Sequence, residues 1–293
     1  SFKIMIKFLK ILYWIANVII ISALLYVHFI IKERSYIDAL YYYVLPLPII
    51  IGIILGLSVF LSKRRYNLIL AGILLVVWLG RSFKIHIPET VKNSDLEVVF
   101  WNASRDNGFE EAFKENKNIP DVLVLVESKP NSIKDFQLKY PDYFFFKSSR
   151  EIYIFSKKPI LIEKETSSQY NTTIIHFKID GINFYAVDVT GSQDVPRTWE
   201  LGFVNDLIKR NKNTIVLGDF NVPFESKNLN KLKTDFNHAF NEKGNGFRET
   251  WFWNLPLLSL DHIWVSKDLK ILKTQKINTF KSDHCMIKTF IKR

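Results

Sequence analysis

The spacing of apolar positions divides this chain into two parts. Ile11 to Ile31 contains no charged residue, nor does Ala39 to Leu61, and a third uncharged run extends from Tyr66 to Gly80. Apolar runs of about 20 residues match the hydrocarbon thickness of a bilayer. The third run is shorter, but Arg81 can snorkel and lengthen it to about Phe83. Three transmembrane helices are therefore predicted, at about 11–31, 39–61 and 66–83. A cleaved signal peptide fits the first run poorly. Its apolar stretch is too long, and no small-x-small cleavage site precedes the second run.

From about Ser94 the pattern changes to short β-compatible runs separated by polar punctuation. LEVVFW (96–101), DVLVLV (121–126), EIYIFS (151–156) and TTIIHFKI (172–179) read as strands. NFYAVDV (183–189), TIVLG (214–218), LDHIWVS (260–266) and CMIKTFI (285–291) read the same way. Helices are expected near 109–116 and 197–210; in the second, Leu201, Val204, Leu207 and Ile208 share a face and Pro196 suits the start. No repeat, low-complexity tract or long linker interrupts this part. The expected organisation is a membrane anchor over 1–90 and one α/β domain over 91–293.

Charge refines the picture. The net charge of +11 invites a nucleic-acid reading, but ten basic and three acidic residues fall in the first 90 positions. The remaining 30 basic and 26 acidic residues leave the second part only mildly basic, so nucleic acid is not the favoured partner. Lys3, Lys7 and Lys10 before the first run, and SKRR (62–65) between the second and third, belong inside under the positive-inside rule. The α/β domain is then expected outside the cytoplasm, with the lipid bilayer as partner of the helices. The single cysteine, Cys285, permits no internal disulfide and does not bear on the compartment.

Candidate chemistry gathers at strand ends. Asn102 follows EVVFW, Glu127 follows DVLVLV, and Asp219 and Asn221 follow TIVLG. Asp261 opens the IWV strand, and Asp283 and His284 precede the last one. A lone carboxylate at a strand end is ordinarily a solvated turn residue. Several at the ends of neighbouring core strands would repel one another unless a metal or shared protons offset the charge. His176 and His238 read as structural or surface residues, and His262 should point away from Asp261 along its strand. Trp251, Phe252 and Trp253 suit a substrate wall, a bilayer contact or the core.

The segments WNAS (101–104), VLVLVES (122–128), GDFNVPF (218–224), LDHIWVS (260–266) and KSDH (281–284) occur in a telling order and spacing. They resemble the endonuclease/exonuclease/phosphatase superfamily of Mg²⁺-dependent phosphoesterases, over roughly Leu96 to Ile291. IFSKKPI and TWFWNLPLLSLDHIWVS add to the likeness, and helices followed by such a domain resemble its membrane-anchored bacterial branch. The resemblance implies a four-layer α/β sandwich of two packed mixed sheets flanked by helices. It implies Glu127 as principal ligand of Mg²⁺, with Mn²⁺ as the alternative ion, helped by Asn102 and Asp283. Asp219 would align or deprotonate the attacking water, and Asn221 would donate to the phosphate. His284 would contact the phosphate or act as base, its other ring nitrogen oriented by Asp261. Asn102, Arg105 and Arg150 are expected to meet the phosphate-ester substrate.

One position departs from the family pattern. FYAVDVTGS (184–192) carries Asp188 where family members have a histidine that donates to a phosphate oxygen. An ionised carboxylate there would repel that oxygen unless protonated or metal-bound. Three functions remain in view: a membrane-anchored phosphoesterase acting on a diester or monoester, with a lipid headgroup or lipid-linked phosphate within reach; a surface nuclease; or a catalytically weak binding domain.

Overall fold

The structure is a computed structural model describing residues 2–61, 63–129, 132–191 and 193–293. Ser62 of SKRR and Ser192 of FYAVDVTGS lie outside the described residues. The chain forms two compact units, Ser1–Phe83 and Lys84–Arg293.

The first unit is helical. Helix α1 (Phe2–Tyr26) runs into a π-helical turn (Val27–Ile31), giving one 30-residue apolar element. Lys3, Lys7 and Lys10 lie within this helix rather than ahead of it, because nothing in FKIMIKFLK breaks a helix and Lys is a good helix former. The second expected span is not one straight helix. It breaks into α2 (Tyr36–Val44) and α3 (Leu47–Ser58), bent by 66°. Pro46 lacks an N–H and clashes with a continuing helix, so α2 ends before it and α3 begins after it with Pro48 in its first turn. Helix α4 (Arg65–Ser82) matches the third run. Among the described residues, two helices, α1 with its π turn and α4, are long and apolar enough to cross a membrane; the bent pair makes a third only if it counts as one span. Ile21, Leu47, Ile50, Ile54, Ala71 and Leu74 pack together, and Asn67 Nδ2 donates to Asn17 Oδ1 (2.9 Å) among them.

The second unit is built on two six-stranded mixed sheets. The first contains β1 (Leu96–Asn102), β2 (Val122–Val126), β3 (Phe144–Lys147), β4 (Tyr153–Ser156), β11 (Ile271–Ile277) and β12 (Met286–Ile291), in the order β11-β12-β1-β2-β4-β3. The second contains β5 (Leu161–Ser167), β6 (Thr173–Ile179), β7 (Ile182–Asp188), β8 (Thr214–Asp219), β9 (Phe236–His238) and β10 (Asp261–Ser266), in the order β9-β10-β8-β7-β6-β5. Each sheet has a single parallel pair at its centre, β1/β2 and β7/β8, with antiparallel neighbours outside it.

The central strands are apolar on both faces, which is why they read as unbroken runs. Val98, Phe100, Val122 and Val124 face Ile175, Phe177, Phe184, Ala186, Ile215 and Leu217 between the sheets. The alternate residues Val99, Trp101, Leu123 and Leu125 face outward and pack on Phe109, Ala112 and Phe113 of α5 (Phe109–Asn116). Helices α6 (Ile133–Lys139) and α7 (Arg197–Leu207) complete the flanks. The sequence patterning missed β3, β5, β9 and β11, which are the edge strands of the two sheets. LIEKETS and ILKTQKI mix charged and apolar residues because water solvates much of one face.

Candidate active site

The two parallel pairs end side by side, and the polar residues stand at those ends. Asn102 is the last residue of β1, and Glu127 follows β2 with a left-handed backbone (φ 47°). Such a φ is uncommon for a non-glycine residue and marks a side chain held for a purpose other than extending the strand. Across the sandwich, Asp219 closes β8. Register sets Asp188 of β7 beside it on one side and Asp261 of β10 on the other. Three carboxylates thus stand abreast on adjacent strands. Gly218 permits this closeness: a Cβ there would lie 2.0 Å from the Val187 carbonyl oxygen.

Asn102 joins the sheets. Its amide Nδ2 donates to Glu127 Oε1 (3.2 Å) and to Asp219 Oδ2 (3.0 Å), while its Oδ1 accepts from the Ser104 backbone N–H (3.1 Å). Asp219 Oδ1 accepts from the Asn221 backbone N–H (2.8 Å), the local turn by which an aspartate shapes the two residues after it. Asn221 is itself left-handed (φ 51°), and its amide donates to the Val189 carbonyl (2.6 Å). GDFN therefore turns sharply at the strand end, tied to both neighbours.

His284 Nδ1 meets Asp261 Oδ2 at 2.8 Å, and both residues are buried. The loop carrying His284 is stitched to β1 by Ser282 Oγ, which donates to the Asn102 carbonyl (2.8 Å), and by Trp101 Nε1, which donates to the His284 carbonyl (3.1 Å). Asp283 faces another way: Trp251 Nε1 donates to its Oδ2 (2.9 Å) and the Ser104 hydroxyl to its Oδ1. Arg105 pairs with Glu127 (2.9 Å) and lies 3.5 Å from Glu151, whereas Arg150 is exposed on the turn between β3 and β4. Trp251, which the sequence offers only as part of a substrate wall, bilayer contact or core, here anchors Asp283, and Ser104, Ser282 and Glu151 are not singled out by the sequence. Ser104 and Ser282 carry no signal beyond membership of WNAS and KSDH, and Glu151 none beyond opening the EIYIFS strand.

Burial and mutual repulsion shape the electrostatics. Burial, then the Asp261 carboxylate, push Asp219 up to about 7, partly offset by His284 and by the bonds from Asn221 and Asn102. Burial, then Asp219 and Glu127, hold Asp188 well above the usual carboxylate range. For His284, burial works against the charged ring, but Asp261 outweighs it through charge and hydrogen bond and raises it to about 10. Asp283 lies below its ordinary value: burial opposes this, and the Ser104 bond, the nearby His284 and the Trp251 bond prevail.

The tightest group of ligand-type atoms among the described residues is Asp219, Asp261 and His284, all within 4.8 Å of one another. Asp261 Oδ1 is buried and has no hydrogen-bond partner among the described residues, an expensive state for a carboxylate oxygen. Hard oxygen donors crowded in this way suit a divalent cation such as Mg²⁺ or Mn²⁺. Glu127 and Asn102 border the same space, and Asp283 does not turn toward it.

Comparison with known proteins agrees with this layout. The sequence model of the Endonuclease/Exonuclease/phosphatase family matches residues 99–284. The chain belongs to this family. Endonuclease/Exonuclease/phosphatase members hydrolyse phosphoesters, and solved members share the sandwich. A Bacteroides thetaiotaomicron family protein superposes with TM-score 0.52 at 18% identity, covering 68% of this chain and 98% of its own. D. rerio TDP2 humanised by 14 mutations gives 0.51 at 17% identity, covering 69% and 100%. A B. thetaiotaomicron mannosyl-6-phosphatase gives 0.50 at 17% identity, covering 67% and 99%. At such identities the likeness establishes the family's fold and leaves the substrate open. A search of the curated proteins gives no match.

Proposed function

We propose that the protein is a membrane-anchored, extracytoplasmic, divalent-metal-dependent phosphoesterase. The observation that carries this reading is the meeting of Asn102, Glu127 and Asp219 from opposite sheets beside the buried Asp261–His284 pair. Glu127, Asn102 beside it and the buried Oδ1 of Asp261 are the groups that would hold the cation. When bound, it would neutralise phosphate charge and make water easier to deprotonate.

The chain's own groups divide the remaining work. Asp219, titrating near neutrality, is suited to take a proton from the attacking water. The His284 imidazolium, fixed by Asp261, donates to a phosphate oxygen as charge develops. Asn221 adds an amide donor, and Asn102 spaces the Glu127 and Asp219 carboxylates. Asp188 occupies the position at which the family carries histidine. Protonated, as burial and its carboxylate neighbours favour, it donates a hydrogen bond as that histidine would. The basic flanks of the apolar helices support the extracytoplasmic orientation, which requires the bent α2–α3 pair to cross as one span.

The test is turnover by the full chain, with Mg²⁺ or Mn²⁺, on phospholipid, sphingomyelin-type, nucleotide and DNA substrates, alongside Asp219→Ala. Metal-dependent hydrolysis that vanishes in the variant is expected. Hydrolysis that survives it would remove Asp219 from the mechanism. A C-terminal reporter active only in the cytoplasm would overturn the orientation.

A further inference from the structure

Apart from Ile85 and Ile87 beside the tether and Trp199 on α7, the large apolar side chains exposed on the second unit gather at its two ends. Leu138, Phe144 and Leu161 lie at the end of the sandwich away from the site. Phe144 pairs through β4 with the start of β2, and Leu161 pairs with Lys178, far from Asp188. At the catalytic end stand Phe252, Trp253, Leu255 and Phe280, which are 37%, 44%, 56% and 84% exposed. They form one lip. Trp253 N–H donates to the Asp283 carbonyl (2.9 Å), and Asn254 exchanges two bonds with the Thr279 backbone (3.0 and 3.2 Å). Those bonds hold the 251–255 turn against the loop that carries Phe280 and His284.

A soluble protein seldom leaves such a patch uncovered without a partner. Three observations favour a bilayer surface. Aromatic and leucine side chains suit the headgroup boundary. Exposed Lys281 and Arg150 lie at the same end, matching anionic headgroups in charge. Only Phe83, Lys84 and Ile85 separate the end of α4 at Ser82 from His86, which is bonded to Asn245 and Gly244 of the second unit. A catalytic unit on so short a tether from a membrane-embedded helix works at the membrane surface.

We propose that the Phe252–Leu255 and Phe280 lip seats in the bilayer interface and presents the site to phosphoesters of membrane lipids. The lipid-substrate half rests on the phosphoesterase reading above; the membrane contact does not need turnover. The full chain is reconstituted in phosphatidylcholine–phosphatidylglycerol vesicles with brominated acyl chains. A bimane label is placed at Leu255→Cys, Phe280→Cys or, as control, Leu138→Cys. Quenching at 255 and 280 at least two-fold stronger than at 138 is expected. Equal quenching at all three, or cross-linking between copies through Phe280→Cys, would overturn the bilayer as occupant.

The second arm compares Leu255→Ser/Phe280→Ser with the parent after both are shown to melt alike. Hydrolysis of vesicle phospholipid should fall at least ten-fold while a water-soluble phosphodiester is hydrolysed at the parental rate. An equal loss on both substrates, or none on vesicles, would overturn the lip's role in lipid access. Absence of turnover on every substrate would defeat the phosphoesterase reading and the lipid-substrate half with it, leaving quenching to decide the membrane contact.

Discussion

Replacing Asn102 by alanine removes a side chain that bonds to carboxylates of both sheets. The residue is 2% exposed and donates to Asp219 Oδ2 at 3.0 Å and to Glu127 Oε1 at 3.2 Å, while accepting from the Ser104 N–H. Hydrogen bonds to charged partners are worth about 1.5–3 kcal/mol when buried, and neutral ones about 1. The Asp219 bond is fully buried and sits near the middle of that range. The Glu127 side chain is 25% exposed, so water replaces much of its bond. With the Ser104 bond the loss comes to about 3–4 kcal/mol. For a unit of this size each kcal/mol moves the melting temperature by about 2–4 °C, so Asn102→Ala should melt roughly 10 °C below the parent. The assay is thermal unfolding of the full chain in detergent, with and without Mg²⁺. Asn102→Asp sharpens it. Adding a third carboxylate about 3 Å from two others costs up to about 5 kcal/mol per pair at an effective dielectric of 20, relieved by protonation or a cation. That variant should melt below Asn102→Ala without metal and regain most of the difference with it. An Asn102→Ala shift under about 2 °C, or no metal-dependent recovery in Asn102→Asp, would refute the bridging role.

Gly218→Ala should be among the most damaging single-methyl additions. The β7 and β8 strands must part to clear the 2.0 Å approach to Val187, costing about 3 kcal/mol, and turnover should fall more than 100-fold as Asp188 and Asp219 separate; melting and kinetics check it together. The buried pair His238 Nε2 and His262 Nδ1 (3.0 Å), with His262 Nε2 on the Val222 carbonyl (3.0 Å), should make stability fall in acid. Burial depresses His262 to about 4, so the unfolded chain binds the proton first as pH drops below about 6.5. Stability is therefore full above that value and about 3 kcal/mol is lost on approaching pH 4. His238→Gln/His262→Gln should flatten that slope in a melting series. Asp188→His, restoring the family residue, should retain turnover, and Asp188→Asn, still a donor, should stay within about ten-fold; loss in both would show that the carboxylate itself is required. Chelating the cation should abolish turnover and lower the melting temperature by several degrees, by the mass action of a ligand bound only to the native state; no thermal change on chelation would separate the Glu127, Asn102 and Asp261 groups from metal binding.

The amino-acid sequence by itself determined the parts whose physics is local. Unbroken apolar runs marked the helices, and two-faced burial made β1, β2, β7 and β8 readable as core strands. GDFN, LDHIWVS and KSDH named Asp219, Asn221, Asp261 and His284, because a polar residue ending a buried strand stands out in one dimension. Tertiary structure decided what depends on partners distant along the chain. Asn102 and Asp219 lie 117 positions apart, yet one amide bonds that carboxylate and Glu127 together. Trp251 and Ser104 turn Asp283 away, and folding both buries Asp188 and sets it in register beside Asp219, which together raise its proton affinity. Pro46 was present in the second apolar run, but composition counts a run's length and not its 66° break. Hydropathy is additive along a sequence. Hydrogen-bond direction, register and charge–charge repulsion are properties of pairs, and only folding brings those pairs into contact.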